Sequence, residues 1–201
     1  MLWIAAMDYL NALLAGYFFG SLPFAYWFGL LQGKNLMAEG SGNVGALNAL
    51  RVLGVIPGLM VLLLDVAKGL MAVAIGEFLG KSFEAGLLAG AAAVWGHCFS
   101  AWLLGRGGKG LAPAAGVLLA VKPLMLLFSF ALIGLIYLLS RSLYRAIALV
   151  ALCLPVIAAS VGQATPYIWF GFGVGIPIAL RHLPEWNRRS LPKPKERSQS
   201  R

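Results

Sequence analysis

Three short stretches of the chain combine residue types that grip anions. The first reads Gly40-Ser41-Gly42-Asn43-Val44-Gly45-Ala46, with Asn48 and Arg51 just beyond. Its glycines let the backbone approach a ligand closely, and successive N–H groups in such a turn form an anion nest. A helix starting near Ala46 would aim its positive end at the same point. Arg51 adds a planar fork suited to phosphate or carboxylate. Taken alone, the stretch equally suits a flexible loop with a topogenic arginine. The second reads Gly105-Arg106-Gly107-Gly108-Lys109-Gly110. It has the content of a phosphate loop but not the Walker A spacing, and no strand precedes it. The third is Arg181-His182, followed by Glu185, Asn187, Arg188 and Arg189. Together they are rich in anion donors and poor in acids, as a centre that handles two phosphate groups would be.

Other polar residues read as structural. Asp65 and Lys68, three apart, share one helix face and form a pair that neutralises itself. His97, in an apolar run, reads as a satisfied buried histidine. Cys98 and Cys153 also lie in apolar runs and read as small hydrophobes. Two histidines and two cysteines in such settings make no metal-ligand cluster, and there is no G-x-S-x-G elbow.

The elements that must position these loops are hydrophobic to an unusual degree. Of 201 residues, 60% are hydrophobic and 11% charged, against about 45–50% and ~25% in ordinary globular chains; the mean hydropathy is +0.84. This excludes a disordered chain and argues for an integral membrane protein. Seven apolar stretches stand out, at 11–31, 52–79, 84–104, 111–121, 123–139, 146–161 and 166–180. The fourth is short for a crossing, so five spans with a re-entrant pair is an alternative. Gly20, Ser21 and Pro23 predict a break in the first. Residues 1–186 read as one polytopic domain and 187–201 as a basic tail.

The net charge of +9, from 16 Lys+Arg against 7 Asp+Glu, reads as topology rather than nucleic-acid binding. Thirteen of the sixteen cations fall in alternate loops and the tail. Only Lys81 and Lys122 fall on the other side, and Lys68 lies within a stretch. The expectation is an all-α protein of about seven transmembrane helices, with the N-terminus outside, the C-terminus cytoplasmic, and all three anion-binding stretches on the cytoplasmic side.

At these residues the chain resembles the bacterial acyl-phosphate:glycerol-3-phosphate acyltransferases, the PlsY family. The matching segments are Gly20-Ser21-Leu22-Pro23, Gly40 to Ala46 with Asn48 and Arg51, Asp65-Val66-Ala67-Lys68-Gly69, Gly96-His97, Gly107-Gly108-Lys109-Gly110 and Arg181-His182. The resemblance implies a seven-helix enzyme of the bacterial inner membrane that moves a fatty acyl group from acyl phosphate to the 1-hydroxyl of glycerol 3-phosphate. It implies acyl phosphate, glycerol 3-phosphate and membrane lipid as partners, and no cofactor, metal or nucleic acid. By position, Ser41, Arg51, Lys109 and His182 would be catalytic. Gly40, Gly42, Asn43, Gly45, Asn48, Gly107, Gly108 and Gly110 would bind substrate and phosphate.

The chain departs from the pattern at three positions and also lacks the family's closing Gly-x-Glu. The family usually has Thr at the positions of Leu47 and Pro113. Its third motif has Asn three residues after the histidine, where Glu185 stands here. A carboxylate there must be paired, with Arg188 or Arg189 as the nearest cations in sequence. Three other readings are a catalytically altered paralogue acting on another acceptor, a membrane scaffold and a small anion transporter. A transporter would place polar residues at the bilayer midplane; here most collect at one face.

Overall fold

The computed structural model describes residues 2–162 and 165–187. The described elements are helical: α1 (Leu2–Ser21), α2 (Phe24–Leu31), α3 (Ala46–Leu53), α4 (Val55–Gly80), α5 (Phe83–Cys98), α6 (Leu111–Val121), α7 (Pro123–Ser140), α8 (Leu143–Gly162) and α9 (Thr165–His182). Single 3₁₀ turns follow α5 and α9.

Five helical segments are long and apolar enough to cross a membrane: Trp3–Leu31, Val55–Gly80, Phe83–Leu103, Pro123–Ser140 and Leu143–Gly162. The first starts well before residue 11, the start expected for span one. Helix α6 has 11 residues, about 16 Å at 1.5 Å per residue, and falls short of a ~30 Å hydrocarbon core. Helix α9 has 18 residues diluted by glycine and proline.

The break in the first segment falls where expected. Pro23 cannot donate a backbone hydrogen bond, so α1 stops at Ser21 and α2 starts at Phe24. In an apolar surround the freed carbonyls need partners. Ser100 Oγ donates to Ser21 O at 2.6 Å, and Lys68 Nζ donates to Leu22 O at 2.9 Å.

The helices pack through small residues. A Cβ on Gly16 or Gly20 of α1 would lie within about 2.2 Å of Ala89 or Ala93 backbone on α5. Gly69 of α4 meets the Pro113 carbonyl, Gly116 of α6 meets Val66, and Gly175 of α9 meets Ala151 of α8. Close backbone approach of this kind gives van der Waals contact where lipid supplies no hydrophobic drive. The main core lies among α4 to α9 around Val94, Val117, Met125, Ile147, Leu154 and Val174. Large apolar side chains such as Leu63, Phe78, Phe128 and Leu135 point outward, as a lipid-facing surface requires.

A second core, with Leu36, Val44, Ala49, Leu53, Val61 and Leu103, fastens the segment between α2 and α4. Helix α3 crosses the first turns of α4 so tightly that a Cβ on Gly58 would sit 2.5 Å from Leu50 Cα. The joint between them is Gly54, at φ 101° and ψ 177°, a conformation essentially reserved for glycine.

Candidate functional site

The loop before α3 (loop one) is built around Asn48. This buried side chain accepts from Ser41 N at 2.8 Å and donates to Leu36 O at 3.1 Å and Glu39 O at 3.0 Å. Its amide ties the loop together. The anion nest expected at 40–45 is largely closed. The N–H groups of Ser41, Gly42, Asn43 and Gly45 bond to Asn48 Oδ1, Glu39 O, Ser41 Oγ and Asn43 O. Gly40 and Gly42 supply positive φ for the turns. Helix α3 begins at Ala46, as its sequence predicts, and no side chain caps its N-terminus. Ser41, Arg51 and Leu47 are exposed on this rim.

The loop between α5 and α6 (loop two) is pinned from two sides. Below, Gly108 N donates to His97 O at 3.0 Å. Opposite, Arg181 donates through Nε to Gly108 O at 3.0 Å and through a terminal nitrogen to Gly107 O at 2.5 Å. Gly107 and Gly108 therefore hold the loop in place through their backbones. Gly110, at φ 82°, turns the chain into α6. Pro113 falls in the first turn of α6, where N–H groups have no intrahelical partner and a missing donor costs little. Loop one reaches loop two through Val44, whose carbonyl would stand 2.9 Å from a Cβ on Gly108.

Lys109 lies at the meeting point of four segments. Its ammonium pairs with Glu185 Oε2 of the turn after α9 and sits 4.5 Å from the centre of the Tyr144 ring of α8. Glu185 is thus paired across the fold with Lys109, and Arg188 and Arg189 lie outside the described residues. The Tyr144 ring also faces His182, with centroids 6.4 Å apart. The turn that carries Glu185 is anchored by Arg145, which donates to Trp186 O at 3.0 Å.

His182 ends α9, beyond the apolar run 166–180. It is 1% exposed and directs Nδ1 to Ile178 O at 2.8 Å. A carbonyl only accepts, so Nδ1 carries the proton and Nε2 keeps its lone pair. Burial pulls the ring down to about 4, against the opposing pull of that hydrogen bond, and nearby Lys109 adds to the lowering. His182 is therefore neutral at pH 7, and a weaker base than its unperturbed pKa implies.

Reading the sequence alone left a polar layer beneath loop two outside the site. Lys68 pairs with Asp65 at 2.9 Å, and Asp65 Oδ1 lies 3.7 Å from His97 Nδ1. All three side chains are buried. The polar residues in otherwise apolar spans were visible, but not that α4 and α5 bring them together under Gly107 and Gly108.

An apolar groove of about 330 Å³ runs between α6, α7, α8 and α9. Leu111, Leu143 and Ile178 line it next to Gly110, Tyr144 and the His182 hydrogen bond, and Leu118, Ile133 and Leu154 line its length. At the other end of the bundle, Lys81 pairs with Asp8 and Lys122 donates to Val161 O. The two loop cations set apart by the charge count thus stand apart in space.

A family model described as glycerol-3-phosphate acyltransferase matches residues 10–190. A glycerol-3-phosphate acyltransferase of Synechococcus sp. (strain JA-2-3B'a(2-13)) is 40% identical over 178 residues, 86% of each chain. Glycerol-3-phosphate acyltransferase 2 of Moorella thermoacetica is 39% identical, covering 82% of this chain and 84% of its own. Crystal structures of PlsY (YgiH), an integral membrane glycerol 3-phosphate acyltransferase, superpose over 90% of both chains. The glycerol 3-phosphate form gives a TM-score of 0.77 at 32% identity, and the lysophosphatidic acid form 0.76 at 31%. On the extent of the family match and the shared architecture, this all-helical membrane protein belongs to the glycerol-3-phosphate acyltransferase family.

Proposed function

We propose that the protein is a membrane acyltransferase that moves a fatty acyl group from acyl phosphate to the 1-hydroxyl of sn-glycerol 3-phosphate. The products are lysophosphatidic acid and inorganic phosphate, and the reaction opens phospholipid synthesis. The observation that carries the reading is the junction of a polar cluster holding the Lys109 ammonium with an apolar groove. Lys109, Tyr144 and His182 stand at the end of a groove lined by Leu111, Ile147 and Ile178. A phosphate head group with a fatty tail fits that junction.

Acyl phosphate is already activated, so no protein nucleophile is obligatory and catalysis reduces to positioning and electrostatics. The acceptor hydroxyl attacks the acyl carbonyl, a new ester C–O bond forms, and the acyl–phosphate C–O bond breaks. Lys109 and Arg51 neutralise charge gathering on phosphate. The lowered basicity of His182 favours a phosphate oxygen as the group that takes the hydroxyl proton. Ser41 Oγ accepts a long hydrogen bond from Asn43 N at 3.4 Å, which suits a loop-shaping role better than an acyl-Ser41 intermediate. Asn48 acts by holding loop one, and Gly107 and Gly108 by holding loop two. Gly40, Gly42, Gly45 and Gly110 shape the turns that carry Asn43 and Lys109 to substrate.

The cation bias supports seven crossings in a bacterial inner membrane, with α6 as a short element, the N-terminus outside and the site at the cytoplasmic face. Residues 1–186 then form the membrane domain. The tail read at 187–201 lies, past 187, outside the described residues.

Purified protein is incubated with labelled glycerol 3-phosphate and either acyl phosphate or acyl-CoA. Lysophosphatidic acid from acyl phosphate is expected; product from acyl-CoA alone overturns the donor, and product from neither overturns the reaction. Ser41→Ala retains substantial turnover if transfer is direct, and an inactive but folded variant restores the covalent route.

A further inference from the structure

We propose that His97 is a positioning residue that sets the shape of the Gly107-Gly108 turn from beneath, and thereby places Lys109. The proposal rests on the assignment of loop two to substrate phosphate. His97 touches the turn twice. Its carbonyl accepts from Gly108 N at 3.0 Å. Its Nε2 lies so close that a Cβ on Gly108 would sit 2.0 Å from it. The same Cβ would meet Val44 O at 2.9 Å, so the imidazole, loop one and loop two converge at one glycine.

The ring does not stand there alone. Asp65 lies 3.7 Å behind Nδ1, held by Lys68, and Lys68 in turn donates to Leu22 O at the break between α1 and α2. A line of polar contacts thus runs from the proline break through α4 and α5 to loop two. From the opposite side Arg181 grips the carbonyls of Gly107 and Gly108. The turn is therefore fixed between an imidazole and a guanidinium, with Lys109 as the next residue.

The cavity beside His97, lined by Lys68, Ser100, Val44, Gly107 and Gly108, measures about 10 Å³. That admits no substrate, so His97 acts through the loop rather than on the reacting atoms. An apolar side chain would fill the space between the helices equally well. The imidazole adds a polar tip under the turn, with a carboxylate behind it. Misplacing a catalytic cation by an ångström costs on the order of 10²-fold in rate, so a strut at this point has kinetic consequences.

The test is a double-mutant cycle on the full-length protein in detergent. The variants are His97→Ala, His97→Gln, Gly108→Ala and the combinations with Gly108→Ala. Three readouts are taken: thermal unfolding, the KM for glycerol 3-phosphate against kcat, and binding of inorganic phosphate by ³¹P NMR, which needs no turnover. We expect His97→Ala to raise KM and weaken phosphate binding about tenfold, with His97→Gln recovering part of both. Gly108→Ala should cost about a hundredfold in the wild-type background and less on His97→Ala, because the nearest clash partner is gone and only Val44 O, at 2.9 Å, remains. Additive losses, or a folded His97→Ala with unaltered KM and phosphate binding, overturn the proposal. If His97→Ala does not fold, His97→Gln with Gly108→Ala carries the same cycle. Absent wild-type turnover with phosphate still bound overturns the reaction instead and leaves the cycle readable by binding.

Discussion

Lys109 is held between a carboxylate and an aromatic face, and that arrangement makes a quantitative demand on substrate. A phosphate approaching the ammonium meets the Glu185 carboxylate already there. Two unit charges 4 Å apart interact by about 4 kcal/mol at an effective dielectric of 20, so the carboxylate must move aside or weaken binding. Glu185→Gln is therefore expected to lower the KM for glycerol 3-phosphate several-fold and to strengthen inhibition by inorganic phosphate. A higher KM in the variant would instead make Glu185 a ligand of the acceptor hydroxyls. His182 carries a pH signature. Its ring titrates near 6.5 when unfolded and near 4 when folded. Between those values the unfolded chain takes up a proton that the folded chain refuses. Stability from this source is intact above pH 6.5 and is lost as pH falls toward 4. The melting temperature in detergent should drop between pH 7 and pH 5, and His182→Asn should remove part of that drop.

Among the elements, α6 has the most to explain. Its 11 residues make a short crossing, yet it begins directly after Gly110 and Lys109 and lines the apolar groove with Leu111, Ala115 and Leu118. In the proposed site it would join head-group chemistry to chain binding within a single turn of helix. Ala115→Phe fills groove space on α6 and leaves loop two in place. It should reduce turnover of long-chain acyl phosphates more than that of short-chain ones, measured as the ratio of kcat/KM across chain lengths. An unchanged ratio would remove the groove from the donor site. The starts of α6 and α3 were legible in the sequence because glycine ends each loop where the helix starts; the end of α3 at Leu53 was not, and the apolar stretch read from 52 runs across it. The break in the first segment was legible at Pro23, but not the partners of its carbonyls. Ser100 and Lys68 are 79 and 46 residues away from them.

For the molecule as a whole, the cation count and the contacts separate the same two ends. Loop one, loop two, Arg145 and the end of α9 cluster together, while Lys81 pairs with Asp8 at the far end. Sided labelling decides which end faces the cytoplasm. In a Cys153→Ala background, where the remaining Cys98 is buried, Glu39→Cys should react with a membrane-impermeant thiol reagent only in inside-out vesicles. Lys81→Cys should react only in right-side-out vesicles. The reverse pattern would invert the topology and move the site out of the cytoplasm.

Composition and local chemistry were enough to point to a polytopic helical protein, the ends of several helices and the family that its three glycine-rich or cationic stretches resemble. These follow from hydropathy, glycine and proline geometry and charge, which act over a few residues. Tertiary structure alone decided which groups remain available to a ligand. It closed the expected nest in loop one on Asn48, turned Gly107 and Gly108 into backbone anchors for Arg181 and set Glu185 against Lys109. It also gathered Asp65, Lys68 and His97 beneath the turn. Hydrogen bonds and ion pairs are exclusive, and the partners of Arg181, Lys109 and His97 lie tens of residues away, so the packing of the helices determines which donor meets which acceptor there.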